Sequence, residues 1–174
     1  MEYSTAVVII APPEVQAFAT PLRLTHEYSG MLRVPAHITI LFPFVPVTEL
    51  DSACTTLAEL CANVSPFDIT LNGYGHFSTT TYLKPVDSQP IQALYRKLFA
   101  AYPNYPPYRG AFGTENITPH MTVGQFGSEI ERAAADFPPY DPITFRVHNV
   151  HLIVGVEHEP TPWITHDVIW LRGK

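Results

Sequence analysis

The chain has 174 residues, of which 46% are hydrophobic and only 15% are charged, a composition that favours a well-buried core and argues against disorder. Its formal net charge is −6, with 10 Lys and Arg residues against 16 Asp and Glu residues. Proteins that grip a long nucleic acid duplex through its phosphates normally carry a basic face, so this balance argues against such a partner. It is compatible with a small phosphorylated ligand or an RNA end, which needs only local positive potential.

Apolar periodicity divides the chain into strands and helices. β-Branched runs and strict alternation predict strands, and apolar residues spaced three and four apart predict helices. The segments 30–35, 73–77 and 102–114 are predicted as loops or turns because they are rich in glycine and proline. In chain order, the predicted elements are a strand over 6–10, a helix over 13–22, a strand over 36–42, a helix over 48–64, strands over 67–71 and 80–84, a helix over 88–99, a strand over 119–123, a helix over 128–137, and strands over 143–147, 150–156 and 164–171.

The order of these elements repeats along the chain. Strand, helix, strand, helix, strand occurs twice, over residues 4–72 and 80–148, and further strands follow at the C-terminus. We therefore predict a single bilobal domain over residues 1–174, built from two intertwined repeats related by an approximate two-fold axis. The expected fold class is α+β, in which each lobe is a mainly antiparallel sheet with helices packed on the outside, and a central cleft separates the lobes.

The cysteines and the apolar runs indicate the compartment. Cys54 and Cys61 fall two turns apart on one predicted helix, roughly 10 Å from each other, which is too far for a disulfide bond. Reduced thiols are typical of the cytoplasm. The first residues lack the basic region of a signal peptide, and no apolar run approaches the ~18 residues of a membrane span. We therefore expect a cytoplasmic monomer that does not bind membranes.

Two segments of the chain carry the same pattern of His, apolar, Thr, apolar. They are His37-Ile38-Thr39-Ile40 and His120-Met121-Thr122-Val123, and a proline comes shortly before each. Alternate side chains of a strand share a face, so in each segment the His and the Thr face one side while the apolar pair enters the core. We predict that the two imidazoles and two hydroxyls line one cleft, an arrangement suited to a phosphate group.

The alternative for either motif is a structural histidine on a strand. Read alone, each motif favours that alternative, because His-x-Ser/Thr triplets also arise by chance. A third triplet, His76-Phe77-Ser78, lies in a glycine-flanked segment and is interpreted as such a chance match. The two motifs at 37 and 120 share apolar flanks, a strand context and equivalent places in the repeat, and together they favour a site.

With these motifs the chain resembles the two-histidine (2H) phosphoesterase superfamily, the 2′-5′ RNA ligase-like proteins. Members carry one His-x-Thr/Ser-x motif in each lobe, on strands that line a central groove. Some members continue the second motif with a basic residue, where this sequence has Gly124-Gln125. The resemblance covers nearly the whole chain: the first strand and helix, both motifs, the segments 73–77 and 81–83, and the closing strands.

The resemblance implies a metal-independent cyclic phosphodiesterase or RNA end-processing enzyme that hydrolyses 2′,3′-cyclic phosphate-type bonds, and it leaves reversible 2′-5′ ligation open as a further activity. His37 and His120 are the candidate general acid and base, because an unperturbed histidine pKa near 6.5 permits either role. Thr39 and Thr122 are the candidate donors to the non-bridging phosphate oxygens. No cofactor is expected.

A wider set of residues is predicted to contact the substrate. The arginines among them lie near the motifs and would supply positive potential, and the aromatic rings would stack on a base. The alternative interpretation is that the arginines are solvated surface residues and that the aromatic rings belong to the rim of the core. The candidates are Arg33, Phe42, Tyr74, Phe77, Tyr108, Arg109 and Phe112.

Two other functions stay open. One is a binding module that holds a nucleotide or an RNA end in the same groove without turnover. The other is a metallohydrolase that uses the histidines crowded near the C-terminus, although their spacing is not that of a compact ligand set. Those histidines are His148, His151, His158 and His166.

Overall fold

The computed structural model describes residues 2–174, and for residues 28, 31 and 32 it describes the backbone only. The strands are β1 Tyr3–Ile10, β2 His37–Leu41, β3 Phe67–His76, β4 Thr80–Pro85, β5 Met121–Gln125, β6 Ile143–Val147, β7 Asn149–Val156 and β8 Ile164–Trp170. The α-helices are α1 Pro13–His26, α2 Tyr28–Arg33, α3 Leu50–Ala62, α4 Gln89–Ala101 and α5 Glu129–Ala134, and short 3-10 helices span Val47–Glu49 and Pro107–Gly110.

Within residues 2–174 the strands form two four-stranded antiparallel sheets. The first has the order β2-β1-β7-β8 and the second has the order β5-β4-β3-β6. The first sheet therefore takes its strands from both ends of the chain, and the second takes its strands from the middle. The predicted α+β class with two antiparallel sheets is confirmed.

The two motif strands lie at neighbouring edges of the two sheets. β2 ends the first sheet and β5 ends the second, and Cα atoms of β2 and β5 approach within 8 Å of each other. Helix α1 packs beside β5 and helix α4 packs beside β2, so each of these helices contacts the motif strand of the other sheet. This cross-packing fixes the two motif strands relative to one another.

Alternation along the motif strands separates the core from the groove. Ile38 and Ile40 on β2, and Met121 and Val123 at β5, belong to the main hydrophobic core. Val8 pairs with Thr39 across the β1–β2 ladder and belongs instead to a small apolar cluster apart from that core. The alternation predicted for both motifs is confirmed.

Several predicted boundaries are wrong. Residues 73–77 do not form a turn, because β3 continues to His76: Gly73 adopts a φ of 72° at an irregularity in the ladder, and pairing with β4 resumes beyond it. Part of the loop predicted over 30–35 belongs to α2. Helix α5 begins after Ser128, whose side chain caps it, but it ends at Ala134 and not at the predicted residue 137.

No helix in the described part of the chain has both the length and the apolar character needed to cross a bilayer.

Candidate active site

His37 and His120 are held by the same backbone restraint. Nδ1 of His37 lies 2.8 Å from the carbonyl oxygen of Pro35, and Nδ1 of His120 lies 2.7 Å from the carbonyl oxygen of Thr118. A carbonyl oxygen only accepts hydrogen bonds, so Nδ1 of each ring is the donor and Nε2 of each neutral ring is left as a basic nitrogen. Each imidazole is thereby fixed in one tautomer.

Burial disfavours the protonated form of both imidazoles. It lowers the pKa of His37 to about 4, a shift that the hydrogen bond to Pro35 opposes and that the positive charges of Arg23, His120 and Arg33 strengthen. Burial also lowers the pKa of His120, against its hydrogen bond to Thr118. A positive charge on His120 contributes to lowering the pKa of His37, which indicates that the two rings are close to each other.

All four motif residues line one cavity. This motif cavity has a volume of about 230 Å³ and includes His37, Thr39, His120 and Thr122 in its wall. The pleat that sends the isoleucines of β2 into the core therefore turns the histidine and threonine of each motif toward a common space. A group bound there contacts two basic nitrogens and two hydroxyl donors.

A second cavity, larger than the motif cavity, shares part of its wall. This aromatic cavity has a volume of about 530 Å³, and Thr39 and His120 line it as well as the motif cavity. The remaining wall is mostly apolar and comes from β2, from the residues just after β3 and from the loop before β5: Ile40, Phe77, Ser78, Pro107, Tyr108, Phe112, Gly113, Asn116, Ile117 and Thr118. The two cavities therefore share two wall residues, Thr39 and His120.

Some of the predicted substrate-contact residues line these cavities and some do not. Arg33 and Phe42 line the motif cavity, while Phe77, Tyr108 and Phe112 line the aromatic cavity.

Tyr74 and Arg109 lie outside both linings. The Tyr74 hydroxyl donates to the carbonyl oxygen of Pro138 at 2.6 Å. The Arg109 guanidinium faces Glu157 at 3.3 Å with its side chain 70% exposed. Their side chains are therefore committed elsewhere, to a loop carbonyl and to a surface ion pair.

Among the polar and aromatic residues of the motif cavity, three are absent from the sequence-based candidates: Glu27, Gln125 and Trp163. Gln125 had a signal, because it stands where some 2H proteins continue the motif with a basic residue. Glu27 and Trp163 had none, since they reach the groove from the end of α1 and from the β7–β8 connection.

The C-terminal histidines do not gather around one point. Nε2 of His166 lies 3.3 Å from Asp51, and Nε2 of the exposed His158 lies 3.8 Å from Glu157. Nδ1 of His151 lies 3.4 Å from the hydroxyl of Thr165, and His148 is exposed. Across residues 2–174, no three His, Cys, Asp or Glu residues are grouped so that they can hold a metal ion. The metallohydrolase hypothesis thus has no ligand set in the described chain.

The two sheets, with a His-x-Thr motif on an edge of each, define the class of bilobal two-histidine proteins. The family model of the 2′-5′ RNA ligase superfamily matches residues 11–159, and the chain therefore belongs to that superfamily. Membership confirms the predicted relationship to 2H phosphoesterases and indicates an enzyme of the phosphoesterase type. No curated protein matches the sequence.

Solved structures share the whole fold. TT0787 of Thermus thermophilus is 18% identical with a TM-score of 0.71, covering 98% of this chain and 99% of its own. A structure described as a phosphoesterase is 18% identical with a TM-score of 0.70, covering 97% and 98%. Escherichia coli LigT complexed with 3′-AMP is 18% identical with a TM-score of 0.68, covering 98% and 99%. At this identity, the likeness establishes the fold.

Proposed function

We propose that this protein is a metal-independent cyclic phosphodiesterase or RNA end-processing enzyme that opens 2′,3′-cyclic phosphate-type bonds by hydrolysis, and that reversible 2′-5′ ligation occurs when a ribose 5′-hydroxyl takes the place of water. The observation that carries the proposal is the convergence of His37, Thr39, His120 and Thr122 on one cavity. Membership of the 2′-5′ RNA ligase superfamily supports it. The complex of the similar LigT with 3′-AMP supports a nucleotide as the ligand.

The two imidazoles divide the proton transfers. In hydrolysis, a water oxygen forms a bond to phosphorus while the bond from phosphorus to one ribose oxygen breaks. Nε2 of one histidine accepts the water proton, and the other histidine, protonated at Nε2, gives a proton to the departing oxygen. A pKa of about 4 suits His37 to start neutral as the base, and His120 then acts as the acid. Proton transfers of this kind typically increase the reaction rate by ~10²–10⁴-fold.

The threonines and a nearby arginine offset the charge on the phosphoryl group. The hydroxyls of Thr39 and Thr122 donate to the non-bridging oxygens as negative charge builds in the transition state. Arg33 lines the same cavity and supplies local positive potential in a chain whose net charge is −6. Imidazoles and hydroxyls are sufficient for this chemistry.

The test uses EDTA-treated protein and adenosine 2′,3′-cyclic phosphate, with the 2′- and 3′-phosphate products resolved by chromatography. We expect turnover by the wild type and its abolition by His37→Ala and by His120→Ala, with melting temperatures retained. His76→Ala is the matched control, because His76 belongs to the third triplet and lies outside both cavity linings. Turnover that survives both motif substitutions would contradict the proposal.

One observation favours a second candidate, a binding module that uses the same groove without turnover. The pKa of His37 near 4 and the neutral Gln125 leave fewer positive charges beside the phosphate site than a strongly basic pocket has. Calorimetry with 3′-AMP distinguishes the two: binding together with no hydrolysis of any cyclic or linear diester would establish the module in place of the enzyme.

A further inference from the structure

We propose that Gln16 and Gln92 are positioning residues for the two motif histidines, and that each glutamine holds in place the carbonyl group that fixes the tautomer of its histidine. Gln16 serves His37, and Gln92 serves His120. As an account of the reaction the inference rests on the proposed function, but the hydrogen bonds that carry it belong to the chain alone.

The side-chain amide of Gln16 is hydrogen-bonded at both its ends to the segment that leads into β2. Its Oε1 accepts the backbone N–H of Ala36 at 2.9 Å, and its Nε2 donates to the carbonyl oxygens of Ala36 at 2.8 Å and Ala11 at 3.0 Å. The N–H of Ala36 belongs to the same peptide group as the carbonyl of Pro35, which accepts the hydrogen bond from Nδ1 of His37. Because a peptide group is planar, holding its N–H also orients its carbonyl. Gln16 therefore acts on His37 through a single peptide group.

Gln92 makes the same pair of contacts in the second lobe. The N–H of Ile117 donates to Oε1 of Gln92 at 3.1 Å, and Nε2 of Gln92 donates to the carbonyl oxygen of Ile117. The next residue is Thr118, whose carbonyl accepts the hydrogen bond from Nδ1 of His120. That carbonyl shares its peptide group with Pro119, which has no N–H to be held. Gln92 therefore supports the acceptor of His120 from the residue that precedes it.

The two glutamines occupy equivalent places in the two halves of the chain. Gln16 is the fourth residue of α1 and Gln92 is the fourth residue of α4, and both helices have a proline at one of their first two positions. Each amide pairs with the N–H and the carbonyl of one residue, as a neighbouring strand would. Because the geometry recurs in both lobes, it follows the feature that the lobes share, which is the His-x-Thr motif.

The two helices also connect the lobes. Helix α1 packs beside β5, and helix α4 packs beside β2. A shift of α1 therefore moves the acceptor of His37 together with the strand that follows His120, and a shift of α4 does the converse. The glutamines thus place both imidazoles in one frame.

The burial of Gln92 indicates what the amide is for. Gln92 is 7% exposed, and a buried amide is costly unless its polar atoms are paired. Its Oε1 meets an N–H and its Nε2 meets a carbonyl, so both ends of the amide are satisfied by Ile117. Methionine has a similar length and packs well in cores, but it leaves those two backbone groups without these partners.

Loss of either amide frees the acceptor carbonyl to turn away from its imidazole. A neutral imidazole without a fixed partner at Nδ1 populates both tautomers, and only one of them leaves Nε2 as a base. The proposed proton transfers use Nε2 of both rings. They therefore need the tautomer that the carbonyls of Pro35 and Thr118 select.

The tautomers of the two rings test the inference without a substrate. Long-range proton–nitrogen NMR is recorded for the wild type, Gln16→Met and Gln92→Met at a pH above the histidine pKa values, and spectra of His37→Ala and His120→Ala assign the signals. We expect both rings of the wild type to be protonated at Nδ1. Gln16→Met should admit the other tautomer at His37 only, and Gln92→Met should admit it at His120 only.

Kinetics provide the functional readout and a matched control. With adenosine 2′,3′-cyclic phosphate, each glutamine substitution should lower kcat about 10- to 100-fold and change KM little, because the imidazole is misplaced while the substrate contacts remain. The control is Thr5→Val: Thr5 is 1% exposed, and its hydroxyl donates to the carbonyl oxygen of Val45 at 2.6 Å, outside both cavity linings. Thr5→Val removes a buried side-chain hydrogen bond, so it should lower the melting temperature but leave kcat and both tautomers unchanged.

Hydrogen exchange of the unmodified protein tests the same contacts without a substitution that can prevent folding. Ile117 lies in the loop between α4 and β5, where backbone amides normally exchange fast. We expect the N–H groups of Ile117 and Ala36 to exchange as slowly as those of the β1–β2 ladder. Fast exchange at either position would overturn the inference.

The outcomes separate this inference from the proposed function. Tautomer changes confined to the matching histidine, in a protein that hydrolyses no diester, would overturn the proposed reaction and leave the positioning role standing. Hydrolysis by the wild type, with the tautomers unchanged in Gln16→Met and Gln92→Met, would overturn the positioning role alone. Changes at both rings in either variant, or at any ring in Thr5→Val, would assign the effect to general loosening and overturn it as well.

Discussion

The ring of Phe77 stands edge-on to the ring of His120, with centroids 5.0 Å apart and an interplanar angle of 88°. The ring of Tyr82 contacts the same imidazole at 5.5 Å and packs against Phe77 at 4.8 Å. Two aromatic side chains and the hydrogen bond to Thr118 thus restrain His120 together. The His76-Phe77-Ser78 triplet, interpreted from sequence as a chance match, supplies one of these rings, and its Phe77 and Ser78 also line the aromatic cavity.

Replacing Phe77 should change the ionisation of His120. Burial lowers the pKa of His120, so Phe77→Ala admits water to the ring and raises that pKa toward its ordinary value. We expect kcat to fall about tenfold, because the imidazole is less well oriented. Titration of the His120 ring protons by NMR measures the pKa. Phe112→Ala is the control, since the ring of Phe112 packs on Tyr108 at 5.6 Å. An unchanged His120 pKa in Phe77→Ala would contradict the inference that Phe77 shields His120 from water.

The depressed pKa of His37 predicts a pH-dependent stability. The pKa is about 4 in the folded chain and about 6.5 in the unfolded chain, so the unfolded state binds more protons between those values. The free energy of unfolding therefore falls as the pH drops through this window. Urea unfolding at about pH 7 and about pH 5 should show a larger loss for the wild type than for His37→Gln. Equal losses would mean that His37 ionises as freely in the folded protein as in solution.

The hydroxyl of Thr39 should act in the transition state more than in binding. Thr39→Val keeps the shape of the side chain but removes the donor, and loss of one such donor lowers kcat by about 10²–10³-fold. KM should change little, and Thr39→Ser should retain activity. Steady-state kinetics on adenosine 2′,3′-cyclic phosphate provide the measurement. A raised KM with an unchanged kcat would assign the hydroxyl to ground-state binding instead.

The buried Arg23 supports the segment that leads into β2. Its side chain is 2% exposed, and its guanidinium contacts Glu27 at 2.6 Å and donates to the carbonyl oxygen of Val34 at 2.9 Å. Arg23→Ala leaves a buried carboxylate without its partner, so we expect the free energy of unfolding to fall by about 3–5 kcal/mol. Arg23→Met combined with Glu27→Gln should recover part of that loss in urea unfolding. No recovery would show that the two side chains are not coupled.

The alternation of apolar and polar residues along the sequence was sufficient to predict which face of each motif strand enters the core. The period-two alternation of Ile38 with Thr39, and of Met121 with Thr122, was sufficient to assign the core face and the groove face of both motif strands. Glycine content misled the prediction at residues 73–77, because the ladder between β3 and β4 continues past Gly73. Cross-strand pairing overrode the local preference for a turn.

The wider site depended on contacts that no local pattern encodes. Tyr74 and Phe77 come from one segment, yet Tyr74 packs beside Phe137 at 5.2 Å while Phe77 contacts His120. Trp163 reaches the groove because β7 pairs with β1, which brings the β7–β8 connection beside a strand from the start of the chain. Which aromatic residues line the groove therefore followed from sheet order.

The most direct test of a shared phosphorus is the kinetics of the double variant. Residues that act as one unit have strongly non-additive effects on rate, since removing either one already disables the step. We predict that His37→Ala combined with His120→Ala lowers kcat for adenosine 2′,3′-cyclic phosphate no further than the more damaging single substitution. If the two losses instead multiply, the histidines act independently, and the account of one phosphorus held between them is contradicted.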